Sequence, residues 1–306
     1  MITCSAPGKI YIFGEHAVVY GENAICCAVD LRTRVQVESD ESVNISIESV
    51  LGKTGIDLEI HPYVSTVIER MREFASINGI SIKIESDIPV GSGVGSSAAV
   101  TVATIAALNR MFDCNLTLEE IAKLGHEIEI QVQGAASPTD TYVSTMGGVF
   151  IMPQRKQLKN IECGIVIGNT NVFSSTKELV ANVAELRDNY PQIIGPVLST
   201  IGSMSEIGEE LVNNSDYISI GKLMNINHGL LDSIGVGSLE LSSLVYAARS
   251  SGAFGAKITG AGGGGCMVAL MDKAKTEAVA SAIDVAGGSS IITKATDHGV
   301  MVESNS

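Results

Sequence analysis

Three short stretches of this chain combine the residue types that group-transfer chemistry needs. The first is residues 5–21, Ser-Ala-Pro-Gly-Lys-Ile-Tyr-Ile-Phe-Gly-Glu-His-Ala-Val-Val-Tyr-Gly. It sets Lys9, Glu15 and His16 among apolar strand residues and brackets them with Gly8, Gly14 and Gly21. A lone Lys in a strand is ordinarily an edge residue, and a lone His ordinarily a structural one; the three together read as the rim of a site. The second stretch is residues 88–100, Ile-Pro-Val-Gly-Ser-Gly-Val-Gly-Ser-Ser-Ala-Ala-Val. Gly91, Gly93 and Gly95 alternate, so the backbone can turn with little side-chain bulk and bring amides close to an anion. Ser96 and Ser97 follow where a helix opens, adding free N–H groups and the positive end of a helix dipole. That is a phosphate cradle, although an ordinary glycine-rich turn with a Ser cap has the same composition. The third stretch pairs Glu129 with Asp140. Two carboxylates can divide labour, one holding a divalent cation and one taking a proton. Each alone reads as a surface Glu or a turn Asp.

Several familiar patterns are excluded by single positions. Gly52-Lys53-Thr54 could end a P-loop, but position 47 is Ile where a Gly is required. Position 96 is Ser where a dinucleotide fingerprint needs its third Gly. Residues 260–265 do fit Gly-x-Gly-x-x-Gly, but a strand is expected after them and not a helix. They remain a second glycine-rich loop able to pack against the same ligand as the first. His126-Glu127 begins a zinc motif whose second His position, 130, is Ile, so no zinc site is expected.

The elements that must position these groups alternate between strand and helix patterns. Residues 3–37 read as strands broken by turns, with one long strand over 24–37, and residues 43–48 and 81–85 alternate cleanly. Helical spacing predicts helices over 61–78 and 96–111, and a third from Thr117, where Thr-Leu-Glu-Glu is a capping box, to about Gln133. Asp140 falls in the loop beyond it. The second half predicts helices over 176–213, broken near Pro191, and over 216–233 and 238–251. Short strands follow over 255–258 and 265–271, then a helix over 273–286 and strands near 289–293 and 299–303. The fold class is α+β, and 306 residues suit two packed domains, 1–160 and 161–306, with a site between them.

Composition narrows the partners. Hydrophobic residues are 45% of the chain, enough for a substantial core, while aromatics are 4% with no Trp, which disfavours a base-stacking platform. A net charge of −14 repels nucleic acid and anionic lipid, so a polyanionic ligand needs a local cradle. The N-terminus shows no signal-peptide pattern, and the longest near-apolar stretch is too short to span a bilayer. The six Cys form no C-x-x-C pair and read as reduced, buried thiols of a cytoplasmic protein.

Taken in order, residues 5–21, 89–99 and 257–266 resemble the three motifs of the galacto-, homoserine, mevalonate and phosphomevalonate kinase superfamily. Gly-Glu-His-Ala-Val-Val-Tyr-Gly is similar to its mevalonate branch, whereas galactokinases carry Asp-Tyr after Gly-Glu-His. Residues 137–148 and 169–180 also resemble that branch, and Val94 stands where the family more often has Leu.

The resemblance implies an N-terminal domain of the ribosomal-protein-S5 type, a ferredoxin-like C-terminal domain and an active site between them. It implies ATP and Mg²⁺, mevalonate phosphorylated on its primary hydroxyl, and a homodimer. Carried onto this sequence, Asp140 accepts the hydroxyl proton, and Lys9 keeps Asp140 ionised and stabilises the transferring phosphoryl. Ser97 and Glu129 hold Mg²⁺. Pro89, Val90, Gly91, Ser92, Gly93, Val94, Gly95, Ser96, Ser97, Ala98 and Ala99 wrap the phosphates. Glu15 and His16 orient the substrate, Gly260, Ala261 and Gly262 close over it, and Thr176 is a further contact. The alternatives are a sister kinase for phosphomevalonate, homoserine or a sugar, the related decarboxylase, and a non-catalytic ligand sensor.

Overall fold

The structure is a computed structural model that describes residues 1–40, 44–89, 91, 93–134 and 136–303. Two sheets organise it. In the first, β1 (Ile2–Phe13) pairs antiparallel with β2 (Ala24–Ser39), a 16-residue strand long enough to serve two partners. Its outer half pairs β5 (Ile80–Ser86), which carries β3 (Ile45–Ser49) in parallel and then β4 (Gly52–Thr54). Its inner half pairs β6 (Val149–Met152), which carries β7 (Lys156–Leu158). The last strand, β12 (Met301–Val302), returns from the far end of the chain to Cys4 and Ser5 of β1.

The second sheet is β8 (Gly164–Asn169), β9 (Gly255–Thr259), β10 (Cys266–Met271) and β11 (Ser289–Thr293), all antiparallel in the order β11-β8-β10-β9. Helices separate β8 from β9, and β10 from β11. That is the split β-α-β ferredoxin-like arrangement.

Helix α1 (Pro62–Met71) is shorter than its apolar spacing suggests. Beyond Met71 come Arg72, Glu73 and Phe74, the last 48% exposed, so no buried face remains to extend it. Helix α2 (Ser96–Met111) is buried along most of its length, and its alanines let it lie close across β1 and β2. Helix α3 (Leu118–Gln133) starts with the expected capping box between Thr117 and Glu120. Helix α4 (Pro138–Met146) was not expected: Ser137 caps it, Pro138 occupies its first turn, and Asp140 therefore sits on a helix and not in a loop.

Helices α5 (Thr176–Asn189) and α6 (Pro191–Asn213) break at Tyr190-Pro191 as the sequence suggests, since the residue before Pro disfavours helix. Helices α7 (Tyr217–Ser233), α8 (Leu239–Ser250) and α9 (Thr276–Val285) complete the chain. No helix among the described residues is long and apolar enough to cross a membrane.

Candidate active site

The site grows on one edge of β1. Strand β12 covers that edge only at Cys4 and Ser5, leaving the backbone donors of Lys9 and Tyr11 open. Both glycine-rich loops use them. The Lys9 N–H donates to Val94 O (2.9 Å), and the Tyr11 N–H donates to the Thr259 hydroxyl (2.9 Å). The strand edge is thus a rail on which the two loops dock side by side.

They meet through glycine. A Cβ on Gly260 would lie 2.8 Å from the Gly93 Cα and carbonyl oxygen, and one on Gly93 would lie 3.1 Å from Thr259 O. Gly91, Gly93 and Gly95 all adopt positive φ, and Gly95 precedes α2 with no side-chain cap, so the first amides of that helix stay available. Val90 and Ser92 of the cradle lie outside the described residues. Ala98 and Ala99 are buried in the helix behind the loop, and Pro89 leads into it.

Under the loops lie the charged groups. The Lys9 ammonium is 3.1 Å from Asp140 Oδ2, 3.4 Å from Gly93 O and 4.1 Å from the centre of the Tyr11 ring. Lys9 is almost fully buried, whereas the Asp140 side chain keeps about a quarter of its surface (26%) open. Ser97, in the first turn of α2, donates to Glu129 Oε1 on α3 (2.8 Å). Burial, and then the charge of Asp140, pushes the Glu129 carboxyl up to about 8. The Tyr63 phenol also reaches Ser97 and is pushed up to about 12 by burial.

Burial and a neighbouring carboxylate disfavour the charged form of Glu129, and a bound cation would favour it. The donor set of Ser97 and Glu129 is all hard oxygen, which fits a small divalent cation such as Mg²⁺. Among the described residues there is no cluster of three His, Cys, Asp or Glu that would form a closed protein cage. A cation here would need further ligands from a bound phosphate, as is usual for Mg²⁺.

The expected substrate residues are less uniformly placed. The sequence reading set Glu15 against the substrate; in the structure its carboxylate is wholly buried and meets the Lys257 ammonium of β9. His16, at φ 59°, donates from Nε2 to Ala261 O (2.8 Å), and burial lowers its pKa so that the neutral ring is favoured. Thr176 is exposed at the start of α5. Gly262 is buried against Val236 O, where a Cβ would come within 2.2 Å.

Tyr11, Thr259 and Lys257 went unremarked as functional candidates. Tyr11 shares the β1 face of Lys9, and Thr259 the β9 face of Lys257, because side chains two apart on a strand point the same way.

Residues 62–148 match the family described as GHMP kinases N terminal domain, and residues 209–288 match GHMP kinases C terminal. The mevalonate kinase of Thermococcus onnurineus is 46% identical, over 99% of this chain and 98% of its own. That of Pyrococcus abyssi is 45% identical with the same coverage. This chain belongs to the GHMP kinase family. Among solved structures, the Methanococcus jannaschii mevalonate kinase superposes with a TM-score of 0.84 at 29% identity, covering 96% of this chain and 98% of that one. The L. major mevalonate kinase in complex with R-mevalonate has the same TM-score and, at 24% identity, shows the shared fold. As a GHMP kinase the chain is an ATP-dependent phosphotransferase, and its α+β, two-part architecture is the family's.

Proposed function

We propose that this chain transfers the γ-phosphoryl group of ATP to the primary hydroxyl of mevalonate. The observation that carries the chemistry is the Lys9–Asp140 pair at 3.1 Å, set beneath the meeting point of the two glycine-rich loops. The choice of mevalonate is supported by whole-length identity of 44–47% to mevalonate kinases of Thermococcus and Pyrococcus species.

Phosphoryl transfer asks a protein for alignment and charge stabilisation. Asp140, with one oxygen on Lys9, takes the proton of the attacking hydroxyl. The Lys9 ammonium, 3.1 Å from Asp140 Oδ2, offsets negative charge on the group in flight. The positive-φ run at 91, 93 and 95 and the uncapped start of α2 hold the phosphates. Ser97 and Glu129 would hold Mg²⁺, which would supply neutralisation of phosphate charge. The loop at Gly260, Ala261 and Gly262 closes the site from the other sheet, fixed by His16.

The test is ADP release from the purified protein with ATP, Mg²⁺ and mevalonate, beside parallel reactions with phosphomevalonate, homoserine and galactose. Release with mevalonate alone is expected. Release only with another acceptor would keep the fold and base and move the substrate; none with any would sink the reading.

A further inference from the structure

Tyr11 touches both members of the Lys9–Asp140 pair. Its ring face lies 4.1 Å from the Lys9 ammonium, within cation–π range, and its phenol donates to Asp140 Oδ1 at 3.2 Å. The two oxygens of Asp140 are thus held by different partners, Oδ2 by Lys9 and Oδ1 by Tyr11. One buried side chain on β1 therefore meets the carboxylate and the ammonium together.

We propose that Tyr11 is a positioning residue for phosphoryl transfer, orienting the Asp140 carboxylate toward the acceptor hydroxyl while its ring seats Lys9. The proposal rests on the kinase reading above. The carboxylate torsion of Asp is broad, so without a second partner Oδ1 is free to rotate into the cleft. A base that must meet a hydroxyl at about 3 Å loses rate steeply when its lone pair is misaligned.

Tyr11 is not itself the proton acceptor. Burial, and then the charge of Asp140, hold its phenol well above the usual tyrosine range, so it remains a neutral donor. Its tie to the pair is separate from its backbone, whose N–H goes to Thr259. Changing the hydroxyl alone therefore leaves the rail between the loops in place.

The decisive variant is Tyr11→Phe, which keeps the ring, the packing and the cation–π face and removes one oxygen. We expect kcat to fall roughly tenfold, up to about a hundredfold, with KM for both substrates within about twofold of wild type. Tyr11→Leu, which also leaves Lys9 without its ring, should fall further. A Tyr11→Phe enzyme with unchanged kcat, or one whose loss lies in KM, would overturn the proposal.

A second measurement does not depend on turnover. With tyrosines ¹³C-labelled at Cζ, Asp140→Asn should move one of the seven resonances, the one missing from Tyr11→Phe. An unmoved resonance refutes the contact. Should the wild-type protein release no ADP with any of the four acceptors, the kinase reading falls, while this shift still decides whether Tyr11 holds Asp140.

Discussion

Two lysine–carboxylate pairs lie near the end of β1, and they differ in one respect. Lys9 with Asp140 keeps the carboxylate side chain 26% exposed, while Lys257 with Glu15 is sealed, with no exposed side-chain surface on either partner. In the sealed pair burial raises the Glu15 pKa and lowers that of Lys257, and each is opposed chiefly by the other's charge. Lys257 also donates to Ile258 O (2.7 Å), but Glu15 Oε2 finds no hydrogen-bond partner among the described residues. In this structure the enclosed pair presents no side-chain surface to the cleft. It joins β9 of the second sheet to the turn after β1 of the first, and so fixes the loop that follows β9 over the cradle. The open pair has one face in the cleft and can do chemistry. The same two charges therefore serve assembly or reaction according to which of them water can reach.

Asp140→Asn should separate the two roles most sharply. Loss of the base is expected to lower kcat by roughly 10²–10⁴-fold, the usual range for a general base, with a smaller shift of the urea midpoint than in the sealed pair because Asn still accepts from Lys9 and the site is open to water. Near-full turnover would remove Asp140 from that role. Lys257→Met is the converse: it strands a buried carboxylate and should cost about 3–5 kcal/mol in urea unfolding. The double variant Lys257→Met with Glu15→Leu should recover most of that loss, because neither charge is then left buried alone. If the single variant unfolds like wild type and loses only turnover, the sealed pair belongs to the chemistry and the contrast collapses.

What was legible in the sequence follows the same division. The long β2, the capping-box start of α3 and the break at Pro191 rest on alternation and local caps, which neighbouring residues carry by themselves. Helix α4 departs from the expectation of a loop at Asp140, although Ser137-Pro138 is a helix-start signal. Strand β8 was missed because its continuous apolar run has no period to read. In the site, Lys9, Asp140 and Glu129 stand out by residue type and take their roles from the motif resemblance, and the structure places the first two in contact. The partnership of Glu15 with Lys257 spans 242 residues, and no local pattern announces it. Tyr11 was within reach, since it stands two residues after Lys9 on the same face.

The meeting of the two loops can be broken with one methyl group. Gly260 has φ 83° and no room for a Cβ beside Gly93, whereas Gly134 has φ 84° and nothing within 4 Å. Gly134→Ala should show only the backbone strain of a left-handed residue, of order 1–3 kcal/mol. Gly260→Ala should add a rise in KM for ATP, because the cradle must shift to admit the new atom. Equal KM values in the two variants would mean that the loops do not depend on that contact.

The smallest effect concerns the second carboxylate beneath the cradle. Glu129 titrates near 8 in the folded protein, against an ordinary value of 4.5, because burial and the neighbouring Asp140 charge both favour its protonated form. Between those values the native state holds a proton that the unfolded chain has released, so stability contributed by Glu129 is present below about 4.5 and is lost as pH rises through about 8. Glu129→Gln should flatten that part of the stability–pH curve in metal-free protein. It should also raise the Mg²⁺ concentration needed for turnover, and weaken the dependence of that requirement on pH below about 8, since the native carboxyl must shed its proton to bind a cation. A Mg²⁺ titration that matches wild type would mean that Glu129 only braces Ser97. The open half of the comparison would then reduce to Lys9, Asp140 and the phosphates they face.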